Sequence, residues 1–141
     1  MKPTILVSRC LLGEPCRYDG GSNACAAVTG LSSAYRVIPI CPECDGGLTT
    51  PRTPSERRGD RVLMRDGQDV TAAFRRGAEH ALELARENDV AFAVLKARSP
   101  SCGKGEIYDG SFTRTLTRGN GVTAELLLNE GYQVLTEKEI V

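Results

Sequence analysis

The hydrophobic positions of the chain fall into four short apolar runs separated by polar or amphipathic stretches. Residues 4–8 are β-branched and apolar and stop at a turn-forming segment, which predicts a buried strand. Residues 36–40 predict a second strand, and Pro39 within it predicts an irregular or exposed end. The continuous run at 90–95 is typical of a strand covered on both faces, and residues 132–135 predict the last strand.

Helical periodicity is clearest after these first two strands. Asp69 or Thr71 is the predicted cap of a helix whose apolar positions recur at spacings of three and four. These positions are Val70, Phe74, Ala78, Ala81, Leu82 and Ala85. Small residues predict another helix over 23–35, and a third is predicted over 121–129 with Gly131 closing it.

Two intervening segments are predicted to have little regular structure. Residues 46–60 are rich in Gly, Pro, Thr and Arg and predict a long loop, while residues 62–67 predict half of a small hairpin. No internal repeat or domain boundary interrupts the pattern. Strands that alternate with helices predict an α/β fold, a single three-layer domain over residues 1–141 with a mostly parallel, Rossmann-like sheet.

Composition limits the classes of function. Eighteen basic residues balance eighteen acidic ones, so we expect no long-range attraction to nucleic acid or to an anionic membrane. This balance does not exclude a local basic groove. The apolar run near the N-terminus is far too short for a signal sequence or a membrane span, which predicts a cytoplasmic protein. In that reducing compartment the six cysteines favour metal binding or redox chemistry over structural disulfides.

Three of the cysteines follow predicted strands. Cys10 comes after the first strand, Cys41 after the second and Cys102 after the third. The carboxyl ends of parallel strands lie at one edge of a sheet, so we expect these loops to converge at one crevice. A soft set of three thiolates there would select zinc, copper(I) or an iron–sulfur cluster. The alternative, three cysteines buried for packing alone, is less favoured because core cysteines lie within elements rather than at their ends.

The remaining cysteines and the single histidine give weaker signals. Cys25 lies in the Ala-rich predicted helix and fits a packing role. Cys16 and Cys44 have no clear place. Although Cys41 and Cys44 form a CxxC pair, no second pair with zinc-finger spacing follows, and His80 is predicted to be a solvated helix residue.

Polar groups next to these cysteines suit catalysis. Glu43 and Ser101 are predicted to project into the same crevice, where a carboxylate can position or deprotonate water and a hydroxyl can relay a proton. Turn formation around Pro100 explains Ser99 and Ser101 equally well. Arg52 is expected either to fix the loops through ion pairs or to bind an anionic part of the substrate.

Three ordered motifs resemble a known family. They are Cys-Leu-Leu-Gly at 10–13 with Arg-Tyr-Asp-Gly at 17–20, Cys-Pro-Glu at 41–43 with Gly-Gly-Leu at 46–48 and Pro-Arg at 51–52, and Ser-Pro-Ser-Cys-Gly at 99–103. Together they resemble the bacterial family long labelled domain of unknown function 523, whose characterised members are thiouracil desulfidases. The resemblance covers nearly the whole chain.

This resemblance implies a [4Fe-4S] cluster bound by Cys10, Cys41 and Cys102 alone, with one iron open to the sulfur of the substrate. It also implies that Glu43 is catalytic and that the catalytic serine is Ser101 or Ser99, with Ser101 favoured. The implied reaction is a non-redox desulfuration, hydrolysis of C=S to C=O in a thiolated pyrimidine such as thiouracil, by a hydrolase or lyase.

Two alternatives stay open. One is a non-catalytic iron–sulfur or zinc protein, a redox sensor or sulfur carrier, in which Cys16 or Cys44 completes the coordination. The other keeps the chemistry but changes the substrate to a thiolated nucleoside, a thiolated base within RNA or another thioamide. The balanced charge disfavours an RNA partner, whereas the arginines at 52, 57, 58 and 61 leave it open. No membrane partner is expected, and the oligomeric state is left open.

Overall fold

The computed structural model describes residues 2–140, so the first and last residues of the predicted domain, Met1 and Val141, lie outside the described part. The strands are β1 (Thr4–Ser8), β2 (Arg36–Ile40), β3 (Ser55–Arg58), β4 (Arg61–Met64), β5 (Phe92–Leu95), β6 (Glu106–Tyr108), β7 (Leu116–Arg118) and β8 (Val134–Thr136). The helices are α1 (Ala26–Thr29), α2 (Pro42–Asp45), α3 (Thr71–Glu87) and α4 (Val122–Asn129). Short 3-10 helices span Arg9–Leu12, Gly30–Ser33 and Glu137–Glu139.

A four-stranded parallel sheet forms the centre of the molecule, with strand order β2-β1-β5-β8. Leu6 of β1 lies opposite Ile38 of β2 and Ala93 of β5. Because β2 is an edge strand, Pro39 can occupy it without removing a ladder hydrogen bond from the sheet interior. The predictions of an α/β fold, a mostly parallel sheet and an exposed strand at Pro39 are confirmed.

Apolar side chains cover both faces of this sheet. On one face, α3 and α4 pack through a core cluster that includes Leu6, Ala85 and Leu127. On the other face, Ile5 and Val7 pack with Leu11 and Val28 from the segment that contains α1. Alternate residues of β1 therefore point into different cores, which is the period-2 geometry of a strand buried on both sides.

Two predicted segments differ from the structure. The predicted helix over 23–35 is wrong in length, because α1 is a single turn and a 3-10 helix follows it. Hydroxyl groups of Thr29, Ser32 and Ser33 each donate to the carbonyl three residues earlier, a local alternative to a regular helix. The predicted loop over 46–60 is wrong in its last part, where β3 pairs with β4 and completes the small hairpin expected there.

A second hairpin, formed by β6 and β7, was not predicted. Each of its strands has only three residues, and the Gly-, Ser- and Thr-rich sequence between them carries no hydrophobic alternation. Within residues 2–140, no helix combines the length and the apolar character needed to cross a membrane.

Two glycines allow α2 to lie directly against α3. A Cβ atom on Gly77 would lie 1.9 Å from the carbonyl oxygen of Pro42, and one on Gly46 would lie 2.0 Å from that of Ala73. Real Cβ atoms do not approach so closely, so glycine is required on both sides of this contact. The contact fixes α2, which carries Glu43 and directly follows Cys41.

Candidate active site

A cavity of about 480 Å³ opens at the carboxyl ends of β1, β2 and β5. Its walls include Cys10, Cys41 and Cys102, so the three loops predicted to converge do meet at one place. Cys16 also contributes to these walls. Open parallel sheets bind ligands at this edge, where the loops after neighbouring strands come together.

Cys10 lies in the 3-10 turn that follows β1. Its carbonyl oxygen accepts hydrogen bonds from the backbone N–H of Gly13 at 3.2 Å and of Asn23 at 2.9 Å. Gly13 has a φ of 96°, a left-handed conformation that glycine adopts readily and that turns the chain away from the sheet. A hydrogen bond with Cys16 lowers the pKa of the Cys10 thiol by more than burial raises it.

Cys41 follows β2 and occupies the N-cap position of α2. Its backbone N–H donates to Oδ2 of Asp45 at 3.2 Å, and its carbonyl oxygen accepts from the Asp45 N–H at 2.7 Å. A hydrogen bond with Cys16, together with burial, raises the pKa of the Cys41 thiol. Asp45 therefore fixes this turn through the backbone of Cys41 and not through its thiol.

Cys102 lies on the loop between β5 and β6. The hydroxyl of Ser8, the last residue of β1, donates to its Sγ at 3.5 Å. Burial raises the pKa of the Cys102 thiol to about 12, with the bond from Ser8 opposing the shift. The loop is attached to α4, because the backbone N–H of Thr123 donates to the carbonyl oxygen of Ser101 at 2.8 Å.

The other cysteines separate into one at the cavity and two away from it. Cys16 is buried and forms hydrogen bonds with the thiols of both Cys10 and Cys41. Cys44 does not line the cavity, and its Sγ lies 3.3 Å from Oγ1 of Thr50. Cys25 packs against the core on the α1 side of the sheet. Sequence reasoning left Cys16 without a clear place, although its position six residues after Cys10 was a signal that both belong to one loop.

The thiols of Cys10, Cys41 and Cys102 do not converge on a single point. No group of three or more Cys, His, Asp or Glu residues among residues 2–140 lies close enough to hold a single metal ion. The thiols of Cys10, Cys41 and Cys102 nevertheless influence one another electrostatically across the same cavity. Thiolates that surround a cavity without converging on one point fit a multi-iron cluster, which spreads its ligands farther apart than one ion does. His80 is exposed on α3, as predicted, and is remote from these groups.

Glu43 is the second residue of α2, in its first turn, and contributes to the cavity wall. Nε of Arg52 donates to its Oε1 at 3.2 Å. Its second oxygen, Oε2, has no hydrogen-bond partner within the described part of the chain. Burial raises the pKa of the Glu43 carboxyl, and the charge and hydrogen bond of Arg52 oppose that shift. A carboxylate with one oxygen fixed and one oxygen free is suited to orienting water.

The two candidate serines have different surroundings. Ser99 lines the cavity, and its Oγ accepts hydrogen bonds from the backbone N–H of Ser101 at 3.1 Å and of Cys102 at 3.0 Å. Ser101 is fully buried, and its Oγ lies 2.8 Å from Oγ1 of Thr123. Ser101 is therefore not among the residues that line the cavity, although a hydrogen bond from its side chain also lowers the pKa of the Cys102 thiol, and its catalytic role stays a prediction.

Sequence reasoning missed two residues at this site. Ser8 lines the cavity, and its Oγ accepts the backbone N–H of Lys96 at 3.0 Å while donating to Cys102. A polar residue that ends an apolar strand just before a functional loop was the available signal. Tyr18 also lines the cavity. Its side chain is 40% exposed, which singles it out among the large hydrophobic residues of the described part of the chain.

Positive charge is concentrated around the cavity despite the neutral whole chain. Its basic lining residues are Arg9, Arg17, Arg52, Arg65, Lys96, Arg98, Arg114 and Lys138. Several of these are neutralised by carboxylates, as Lys96 is by Glu137 at 3.0 Å and Arg98 by Glu106 at 3.3 Å. The cavity wall therefore carries more basic than acidic side chains, and ion pairs offset much of that charge.

Comparison with known proteins gives three matches. The model of the family described as 2-thiouracil desulfurase matches residues 5–139. The Bacillus subtilis (strain 168) protein YbbK, described as uncharacterized, is 39% identical over 146 residues, which cover 96% of this chain and 97% of that protein. A solved structure described as the [4Fe-4S]-dependent thiouracil desulfidase TudS is 47% identical and has a TM-score of 0.93, with coverage of 99% of this chain and 93% of its own.

Proposed function

The chain belongs to the 2-thiouracil desulfurase family, and from this premise we propose that it is a [4Fe-4S]-dependent enzyme that removes sulfur from thiolated pyrimidines such as thiouracil. One observation carries the proposal: the thiols of Cys10, Cys41 and Cys102 surround a single cavity whose wall also includes Glu43. The six free cysteines fit a cytoplasmic location, where thiols stay reduced.

Cys10, Cys41 and Cys102 would hold the cluster, and the described chain would act as one cluster-binding domain. Cys41 directly follows β2 and Cys10 lies in the turn after β1, while hydrogen bonds attach the Cys102 loop to Ser8 and α4. When bound through three cysteines only, the cluster supplies an open iron that acts as a Lewis acid toward a soft thiocarbonyl sulfur.

The protein groups supply the water chemistry. Oε2 of Glu43 would orient a water molecule and take its proton as the water attacks the thiocarbonyl carbon. The C=S bond is then replaced by C=O, the sulfur leaves as hydrosulfide, and no electron is gained or lost. This balance makes the reaction a hydrolysis, which needs no external oxidant or reductant.

Ser99 is the serine that we assign to the substrate side. Its Oγ already accepts two backbone N–H groups, so its own hydrogen is free to be donated toward the cavity. A donor there can bond a ring nitrogen or exocyclic oxygen of the pyrimidine. Ser101 remains the alternative from the family resemblance, but its hydroxyl is engaged with Thr123.

Tyr18 is suited to the flat ring of the substrate. Its aromatic face is exposed at the cavity, and the guanidinium of Arg17 lies 5.8 Å from its ring centroid. Aromatic side chains are common stacking surfaces for nucleobases. We therefore assign the pyrimidine to the side of the cavity that Tyr18 lines.

A second candidate function is favoured by Cys16. Because this thiol lines the cavity and contacts both Cys10 and Cys41, it is available as a fourth ligand. A cluster with four cysteine ligands has no open iron, and such a protein would be a redox sensor or a sulfur carrier. The two functions therefore differ in the number of cysteine ligands.

Anaerobic reconstitution followed by a sulfide-release assay tests the proposal. We expect the loaded protein to contain four iron and four sulfide per chain and to release sulfide from 2-thiouracil or 4-thiouracil as uracil forms. The same assay with 4-thiouridine tests whether a ribose is accepted. A fully loaded protein that releases no sulfide from any of these compounds would contradict the enzyme and favour the sensor. Zinc in place of iron would exclude the iron–sulfur enzyme and favour the zinc-binding form of the alternative.

A further inference from the structure

Arg52 joins three segments of the chain at the cavity through one guanidinium group. Its Nε donates to Oε1 of Glu43 at 3.2 Å, and its Nη2 donates to the carbonyl oxygen of Cys16 at 3.1 Å. Its Nη1 donates to the carbonyl oxygen of Thr49 at 3.1 Å and to Oγ1 of Thr50 at 3.0 Å. Only 4% of the side chain is exposed, so these bonds are shielded from competing water.

The backbone of Arg52 adds a further attachment. Its N–H donates to the carbonyl oxygen of Tyr18 at 2.6 Å. The loop that contains Cys16 and Tyr18 is thereby linked at two points to the segment that follows α2. A single residue therefore sets the distance between the cysteine loop and the carboxylate of Glu43.

We propose that Arg52 is a positioning residue for the desulfuration. It fixes the Glu43 carboxylate relative to the Cys16 loop so that Oε2 faces the bound substrate. This inference rests on the proposed function. The guanidinium occupies Oε1 and leaves Oε2 free. Lysine cannot replace it, because an ammonium group is a point charge and cannot hold these acceptors in one planar arrangement. Arg52 acts through Glu43 and does not itself contact the reacting atoms.

The chain offers a matched control for an arginine ion pair that is only structural. Arg57 is also largely buried, at 12% exposed, and its Nη2 lies 2.7 Å from Oε2 of Glu125. Its Nη1 donates to the carbonyl oxygen of Asn120 at 2.7 Å. Arg57 does not line the cavity, so its loss should affect folding and not turnover.

The test compares Arg52→Ala, Arg52→Lys and Arg57→Ala, each reconstituted anaerobically and checked for iron content and visible absorption. For Arg52→Ala we expect normal iron, a near-normal KM for 2-thiouracil and a kcat lower by about 100-fold, the usual effect of a small misplacement of a catalytic group. The kcat of Arg52→Lys should also stay below the wild-type value. Millimolar guanidinium should raise the kcat of Arg52→Ala and leave Arg57→Ala unchanged.

A double variant tests whether the effect passes through Glu43. If Arg52 acts only by positioning that carboxylate, adding Arg52→Ala to Glu43→Gln should lower kcat no further. Wild-type kcat in Arg52→Ala, full rescue by Arg52→Lys, or additive losses in the double variant would each overturn the proposal. Loss of iron in both Arg52 variants would also overturn it, because the role would then be structural. An iron-loaded wild type without activity would instead contradict the proposed function, and the inference with it.

Discussion

The backbone N–H of Cys102 donates a 3.0 Å hydrogen bond to Oγ of Ser99, a residue that also lines the cavity. One side chain therefore shapes the turn that presents the third thiol and contributes a hydroxyl to the substrate side. The relationship explains why serine is suited to position 99, since a short side chain with an oxygen acceptor closes such a turn. It also means that a catalytic and a structural role must be separated by the choice of substitution.

Replacing Ser99 with Asn separates the two roles. The Asn carbonyl oxygen can accept the same two N–H groups, because Asx and Ser turns have the same geometry, but the hydroxyl donor is lost. We expect Ser99→Asn to bind a full complement of iron and to lose on the order of 100-fold in kcat. Iron analysis and steady-state kinetics with 2-thiouracil measure the two effects.

Ser101→Ala is the matched comparison for this prediction. Its hydroxyl is bonded to Thr123 in the interior, so removal should lower the free energy of unfolding by about 1 kcal/mol and leave kcat close to the wild-type value. If Ser101→Ala abolishes turnover while Ser99→Asn does not, the assignment of the two serines must be reversed.

Removal of Cys16 tests how many cysteines hold the cluster. If three cysteines hold the cluster, Cys16→Ala should retain four iron atoms and release sulfide from thiouracil. Cys102→Ala should lose both the iron and the sulfide release. The thiol of Cys16 contacts Cys10 and Cys41 but is not one of the three cysteines that the family resemblance assigns to the cluster, which is why we exclude it from the ligand set. Loss of iron in Cys16→Ala would instead favour the four-ligand sensor.

Much of the fold could be predicted from hydrophobic periodicity. Strands β1 and β2 were predicted with their observed bounds, because each is a short, largely β-branched apolar run that stops at a turn-forming segment. Helix α3 was equally clear from its amphipathic repeat. The short α1 and the β6–β7 hairpin were not, because their stability depends on hydroxyl-backbone bonds and on contacts with distant segments.

The candidate site could be predicted in outline but not in its internal contacts. Convergence of Cys10, Cys41 and Cys102 follows from parallel topology alone, which a sequence pattern reveals. The direction of the Ser101 side chain cannot be predicted in this way, because it depends on Thr123, which lies twenty-two residues away in α4. Arg52 was predicted only to fix the loops through ion pairs or to bind an anionic part of the substrate, and its individual acceptors could not be named because they lie on three separate segments.

Gly77→Ala tests the close contact between α2 and α3. The new Cβ would lie 1.9 Å from the carbonyl oxygen of Pro42, so the helices must separate. We expect a loss of unfolding free energy of about 1–3 kcal/mol, as for other overpacked interiors. Thermal or urea unfolding of the reconstituted protein measures it, and weaker iron retention should accompany it because α2 follows Cys41.

Gly30→Ala provides the control for this substitution. Gly30 has a φ of −67°, and a Cβ there would meet no atom within 4 Å, so alanine should be neutral or stabilising by about 0.4–1 kcal/mol. Equal destabilisation by both variants would indicate that glycine content, and not the contact with Pro42, determines stability here.

Glu43→Gln tests the carboxylate that is proposed to act on water. Glutamine keeps the length of the side chain and an oxygen that can accept from Arg52, but it cannot take a proton. We therefore expect normal iron content, a similar KM for 2-thiouracil and a kcat reduced by about 10²–10⁴-fold, the contribution typical of a general base.

Glu125→Gln, which alters the Arg57 ion pair outside the cavity, should leave kcat unchanged. The kcat of Glu43→Asp should lie between those of Glu43→Gln and Glu125→Gln. Aspartate retains the charge, but its side chain is one methylene shorter and holds the free oxygen farther from the substrate. Wild-type kcat in Glu43→Gln would mean that water is activated without a protein base, and Arg52 would then have no catalytic group to position.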